Sequence, residues 1–130
     1  MMTKPAQTLF FFALYLFGLG TILVTAPNWL LGVFGFPPTT DVWIRVVGML
    51  VVFLGVYYIV AARANFLPIL EISVKVRIAV LLFFAAFVAL GFASPVLLLF
   101  GVIDVAGALW TWLALRSELG APAPKGPAPA

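Results

Sequence analysis

The stretch TLFFFALYLFGLGTILVT, from Thr8 to Thr25, contains no charged residue and no proline. It meets the ~18-residue length at which an apolar run is read as a membrane span. In hydrocarbon each backbone N–H and C=O must be paired inside its own segment, so a run of this kind is a helix. The rest of the chain has the same character: 65% of its 130 residues are hydrophobic and 8% are charged. A soluble domain carries about 25% charged residues. So little charge cannot cover a globular surface, and lipid is the expected solvent. A secretory signal peptide is the competing interpretation of the first run, with Lys4 as its basic end and Val24-Thr25-Ala26 as a cleavage site. The run is longer than the roughly 7–15 residues of a signal core, and Pro27 would follow the cut. A retained helix is expected.

Three further spans follow. Thr39-Thr40-Asp41 offers N-cap chemistry ahead of a span over 42–62, which Arg63 closes. Residues 64–73, with Pro68 and Glu71, form a connection. The alternation of Glu71, Ser73, Lys75 and Arg77 with apolar residues imitates a strand. A lone strand in a membrane would leave its backbone unpaired. Ser73 is therefore expected to cap a third helix over 74–93, with Lys75 and Arg77 snorkelling to the headgroups. Ser94-Pro95 makes a tight turn into a fourth span over 95–115, ended by Arg116.

Between the first two spans lies Asn28 to Phe36, too short to cross. Trp29, Phe34 and Phe36 suit the headgroup boundary, so this segment reads as a short interfacial helix that Asn28 caps. Residues 120–130 are an Ala/Pro-rich sequence expected to be a disordered tail. The expected fold class is all-α: an integral membrane four-helix antiparallel bundle over residues 1–119.

Orientation follows from the cations. Lys4, Arg63, Lys75, Arg77, Arg116 and Lys125 fall on one side and Arg45 alone on the other. The positive-inside rule makes the crowded side cytoplasmic, which gives a multi-pass protein of the cell membrane with both termini inside. Trp29 and Trp43 should anchor at the outer interface, Trp110 and Trp112 near the inner one.

Small residues recur every seven positions: Ala13 and Gly20; Gly48, Gly55 and Ala62; Ala79, Ala86 and Ala93; Gly101 and Ala108; Gly107 and Ala114. That period keeps one seam facing inward in a left-handed bundle, and small side chains let backbones approach. Phe10, Phe11, Phe83, Leu97 and Leu98 are then expected mostly to face lipid.

Asp104 is the one acidic residue within a span. A lone carboxylate in a bilayer costs at least about 2.5 kcal/mol, so it requires a proton, a cation or a basic partner. Arg45, about one turn into the second span from the same face, is the expected partner, and its guanidinium fork suits a carboxylate. Asp41, four residues earlier, competes for it. Tyr58 and Thr111 are weaker polar candidates, and Glu71 with Lys75 reads as a solvated surface pair. There is no cysteine and no histidine, which removes disulfides, thiolate chemistry and the usual zinc and haem ligands. No phosphate loop, nucleophile elbow or repeated carboxylate motif is present. No catalytic residue, cofactor or metal is expected.

The residues Trp43-Ile44-Arg45-Val46-Val47-Gly48, Gly55-Val56-Tyr57-Tyr58, Ala61-Ala62-Arg63 and Asp104 to Trp112 resemble small bacterial four-helix membrane proteins of uncharacterised function. In outline the chain is similar to DoxX-like proteins. The resemblance implies a four-helix bundle and carries over no catalytic or ligand residue.

Two functions compete at this point. The first is a structural or accessory subunit, in a homo-oligomer or beside a larger membrane partner. The second is a small carrier or binder of lipid or apolar ligand that uses Arg45 and Asp104. The bilayer is the expected environment, and the scattered cations give no nucleic-acid surface.

Overall fold

A computed structural model describes residues 1–119; the expected tail at 120–130 lies outside the described residues. The described chain is all-helical. Its elements are α1 (Lys4–Thr25), α2 (Pro27–Val33), α3 (Trp43–Arg63), α4 (Leu67–Ala89) and α5 (Leu97–Leu119). All but the short α2 are long and apolar enough to cross a membrane, which fits a multi-pass membrane protein.

The four long helices run alternately up and down. Gly20 approaches Gly48 while Ala13 approaches Gly55, so α1 and α3 are antiparallel. A Cβ on Gly48 would stand 2.7 Å from Leu23 Cβ, 2.8 Å from the Gly20 carbonyl oxygen and 2.9 Å from Val24 N. Such closeness is how apolar helices gain dispersion contacts where lipid removes the hydrophobic drive. The small-residue seam expected for the first two spans thus forms. In α5, Gly101 packs on Leu81 of α4 and Ala108 is fully buried. The α4 seam does not form in the same way, since Ala86 is exposed.

Several helix boundaries differ from expectation: the first span begins at Lys4 rather than 8, the third ends at Ala89 rather than 93, and the fourth runs to Leu119 rather than 115. The third span begins at Leu67 rather than 74, with Pro68 in its first turn, where a missing N–H costs nothing. Ser73 is therefore inside the helix, and its hydroxyl donates to the Leu70 carbonyl at 2.8 Å instead of capping. The fourth span begins at Leu97, after a tight turn in which Leu97 N donates to the Ser94 carbonyl. Asn28 lies within α2, and its Oδ1 accepts from Thr39 N at 2.8 Å. Val42 precedes α3 without a side-chain cap.

Three helices end on the same device. Gly35, Asn65 and Gly91 have φ of 75°, 50° and 80°, the left-handed conformation that closes a Schellman cap. After each, the next N–H reaches back to a carbonyl: Phe36 to Leu31, Phe66 to Ala61 and Phe92 to Phe87. Asn65 further accepts from Thr3 N at 2.7 Å and donates to the Met1 carbonyl at 3.0 Å. Lys4 N donates to Glu118 Oε1 at 3.3 Å. These bonds bind the chain start, the α3–α4 turn and the end of α5 together at one end of the bundle.

The core lies toward that end. Ala6, Leu9, Ala13, Ala61, Ala62, Leu70 and Ala108 interlock there. The opposite end is roofed by α2 and its following loop, where Phe34 meets Phe100 with centroids 4.8 Å apart.

Candidate functional site

Between the tight end and the roof the bundle is hollow. A cavity of about 400 Å³ takes walls from all four long helices and from α2. Leu16, Leu19 and Leu23 of α1, Val47, Val51 and Leu54 of α3, and Val80 and Phe84 of α4 form its apolar sides. Leu30, Leu31, Phe34 and Phe36 close the top. Polar groups stand at one level only: Arg77, Asp104, Tyr15 and Tyr58.

Arg77 is 2% exposed and does not snorkel as expected. It lies ten residues into α4, about 15 Å from the helix start at about 1.5 Å per residue. It falls on the inward stripe with Leu70, Ser73 and Val74, all buried. Its guanidinium Cζ sits 4.5 Å above the Phe12 ring, a stacked cation–π arrangement. Nε donates to the Ser73 carbonyl at 3.2 Å. Nη2 donates to Ser73 Oγ at 3.3 Å and to Thr111 Oγ1 at 2.8 Å.

Two threonine hydroxyls complete this side of the guanidinium. Thr111, fully buried, donates its one proton to the Gly107 carbonyl at 3.1 Å. Its two lone pairs then accept from Arg77 and from Thr8, whose Oγ1 is 2.7 Å away. The Thr8 proton is shared between Thr111 and the Pro5 carbonyl, also at 2.7 Å. This network joins α1, α4 and α5 beneath the cavity.

Arg77 Nη1 is buried and has no hydrogen-bond partner among the described residues. A guanidinium carries five N–H donors, and the two on Nη1 are unused. Gly107 faces this atom: a Cβ there would come to 3.1 Å from Nη1 and 3.2 Å from Phe12 Cδ2. None of the Arg77 hydrogen bonds reaches Asp104, although both line the cavity. The floor thus presents an unpaired donor and a carboxylate, with Tyr15 and Tyr58 beside them, beneath apolar walls.

The expected pairing of Arg45 with Asp104 is not what the structure brings together. Arg45 is exposed and donates through Nη1 to the Val24 carbonyl at the end of α1. It lines a separate groove with Thr21, Val42 and Met49, while Asp104 faces the central cavity with Arg77. The physical reason is helix phase. Arg45 lies off the stripe of Ile44, Val47, Val51, Leu54 and Tyr58 that lines the cavity, on the side of α3 that holds Met49 and Val52, whereas Asp104 lines the cavity from α5. The secondary candidates fare differently: Thr111 holds Arg77, and Tyr58, 5% exposed, lines the chamber.

Trp29, Trp43, Trp110 and Trp112 are all exposed on the outside of the bundle, as anchors require. Trp112 also stacks under Arg116, 5.3 Å from its centroid. Arg77 and Tyr15 are the site residues that the sequence did not single out. The usable signal was Pro68: starting the helix there puts Leu70, Ser73, Val74 and Arg77 on one face.

No protein-family model, curated protein or solved structure matches this chain.

Proposed function

We propose that this chain is a small multi-pass membrane protein that binds an apolar-tailed molecule in its central cavity, with the head of that molecule at the Arg77–Asp104 level. The observation that carries this reading is the chamber itself. Ligand sites are typically about 300–1,000 Å³, mostly apolar, with a few placed polar groups, and a cavity of about 400 Å³ with Arg77 and Asp104 at one level fits that description. Intramembrane ionisable residues that face a bundle interior mark functional sites by default. A protein serving only as scaffold has no use for a hollow core, because each lost contact lowers its stability.

The test is extraction in a mild detergent followed by native mass spectrometry and lipid analysis. The wild type retains a stoichiometric apolar molecule. Val51→Trp and Val80→Trp, which fill the chamber from two helices, release it while the bundle stays folded. Recovery of an empty protein, with the filled variants gaining stability and losing nothing, refutes the reading.

We read both termini as cytoplasmic from the distribution of cations alone, Lys4, Arg63, Lys75 and Arg116 against Arg45, by the positive-inside rule. The chain has no native cysteine, so single cysteines report topology directly. Asp41→Cys reacts with an impermeant maleimide on intact cells, and Glu118→Cys reacts only after permeabilisation; the reverse pattern inverts the orientation.

The accessory-subunit reading, with a second copy or a larger membrane partner, rests on one observation: Ala86 on the small-residue line of α4 is exposed. The DoxX-like outline belongs to the proposal at the level of architecture only.

A further inference from the structure

The geometry points to an uncharged, single-chain amphiphile with a hydroxyl head as the occupant of the cavity, its head seated between Arg77 and Asp104. This inference rests on the ligand-binding reading above and names the class of ligand.

Charge is the first consideration. One guanidinium and one carboxylate face the same apolar chamber, and their formal charges cancel. An anionic head drawn to Arg77 meets Asp104 as well, and a cationic head drawn to Asp104 meets Arg77. In a low-dielectric chamber either like-charge encounter is strongly unfavourable. A neutral head avoids both.

Hydrogen bonding narrows the class further. Arg77 Nη1 is a buried donor without an acceptor, in a side chain whose Nε and Nη2 are already engaged. Buried donors are nearly always satisfied in a finished structure. The carboxylate of Asp104, when ionised, only accepts. The head must therefore accept from the guanidinium and donate to the carboxylate. A hydroxyl does both with a single oxygen. Gly107 packs directly against Nη1, and a Cβ there would crowd it to 3.1 Å.

Shape sets the tail. The chamber runs along α1 from Phe12 to Leu23, roughly 16 Å at about 1.5 Å per residue, and its sides are apolar to the roof. Its volume is about 400 Å³, within the range of single small-molecule sites. A long apolar chamber with its polar groups at one end suits one extended chain with a small head.

The experiment uses the full chain in phosphatidylcholine nanodiscs, in mildly alkaline buffer, with radiolabelled dodecanol as the probe. Unlabelled dodecanol, dodecanoate and dodecylamine compete for it. Dodecanol is expected to compete at least tenfold more tightly than either charged analogue. Asp104→Asn leaves Arg77 unopposed and shifts the preference at least tenfold toward dodecanoate. Arg77→Gln shifts it toward dodecylamine; should that variant fail to fold, Asp104→Asn alone decides. Equal binding of the three heads, or an Asp104→Asn protein with the wild-type order of preference, overturns the hydroxyl-head assignment and leaves the cavity reading standing. Failure of every probe to bind, with the chamber found empty on extraction, overturns both.

Discussion

Alanine at position 48 should destabilise the bundle, whereas alanine at position 18 should not. Both residues are glycines in the interior of an apolar helix, so each substitution gains the same intrinsic helix propensity, about 0.8–1.0 kcal/mol. Their surroundings differ completely. A Cβ on Gly18 meets nothing within 4 Å. A Cβ on Gly48 meets Leu23 Cβ at 2.7 Å, the Gly20 carbonyl oxygen at 2.8 Å and Val24 N at 2.9 Å. Two of those three atoms are backbone, so no rotamer change relieves the clash and α1 must move bodily away from α3. Overpacking of this kind costs about 1–3 kcal/mol. Because the propensity gain is common to both variants, Gly48→Ala should fall below Gly18→Ala by that same ~1–3 kcal/mol. Reversible unfolding in mixed micelles titrated with sodium dodecyl sulfate, followed by circular dichroism, measures the difference. Gly20→Ala, whose Cβ would stand 2.7 Å from the Gly48 carbonyl oxygen, should behave like Gly48→Ala. If the position 48 variant proves as stable as the position 18 variant, the close crossing of α1 and α3 does not hold the bundle.

Three further outcomes are expected in the same assay. Thr111→Val keeps the shape but removes one acceptor of Arg77 Nη2, which retains Ser73 Oγ, and one partner of the Thr8 hydroxyl, which retains the Pro5 carbonyl; the loss should be about 1.5–3 kcal/mol, that of one hydrogen bond to a charged group, and Thr111→Ser should restore most of it. Asn65→Ala and Asn65→Gly both lose the bonds to Thr3 and Met1, but alanine keeps a β-carbon at φ 50° without the amide, so it should cost more than glycine by about 1 kcal/mol, the left-handed penalty. Exchanging Arg45 and Asp104 should show no mutual rescue, the double variant matching the sum of the singles within about 0.5 kcal/mol, as sites without shared partners do.

The spans were legible because a long apolar run in a membrane has one backbone solution, and the Ala13–Gly20 and Gly48–Gly55 seams were legible because their period is that of a helix pair. What escaped was the start of α4. Glu71, Lys75 and Arg77 lie within seven positions, and a density of charge reads as a boundary when only hydropathy is weighed. Glu71 and Lys75 are indeed exposed, but Arg77 is roughly 140° out of phase with that exposed pair at about 3.6 residues per turn and shares the stripe of Leu70 and Val74. Hydropathy cannot separate a charge that reaches outward from one that faces the bundle centre; helix phase can, once Pro68 fixes where the helix begins. The Arg45–Asp104 pairing failed for the same reason, since depth along the helices suggested it and angular position forbids it. The cavity was not legible at all. Its emptiness is a property of how Leu16, Val51, Val80 and their neighbours fail to meet, which no single segment encodes.

One feature of the packing bears on how such a chamber fills. Helices α1 and α3 adhere along their whole length and α4 adheres to α5, but α3 and α4 scarcely touch. Val47 and Leu54 on one flank and Val76 on the other line the cavity and are also exposed at the outside of the protein. The doorway therefore faces sideways, into the acyl chains. On the ligand-binding proposal, a guest dissolved in the leaflet would enter without crossing water, and its occupancy would follow its mole fraction among the lipids rather than its aqueous concentration.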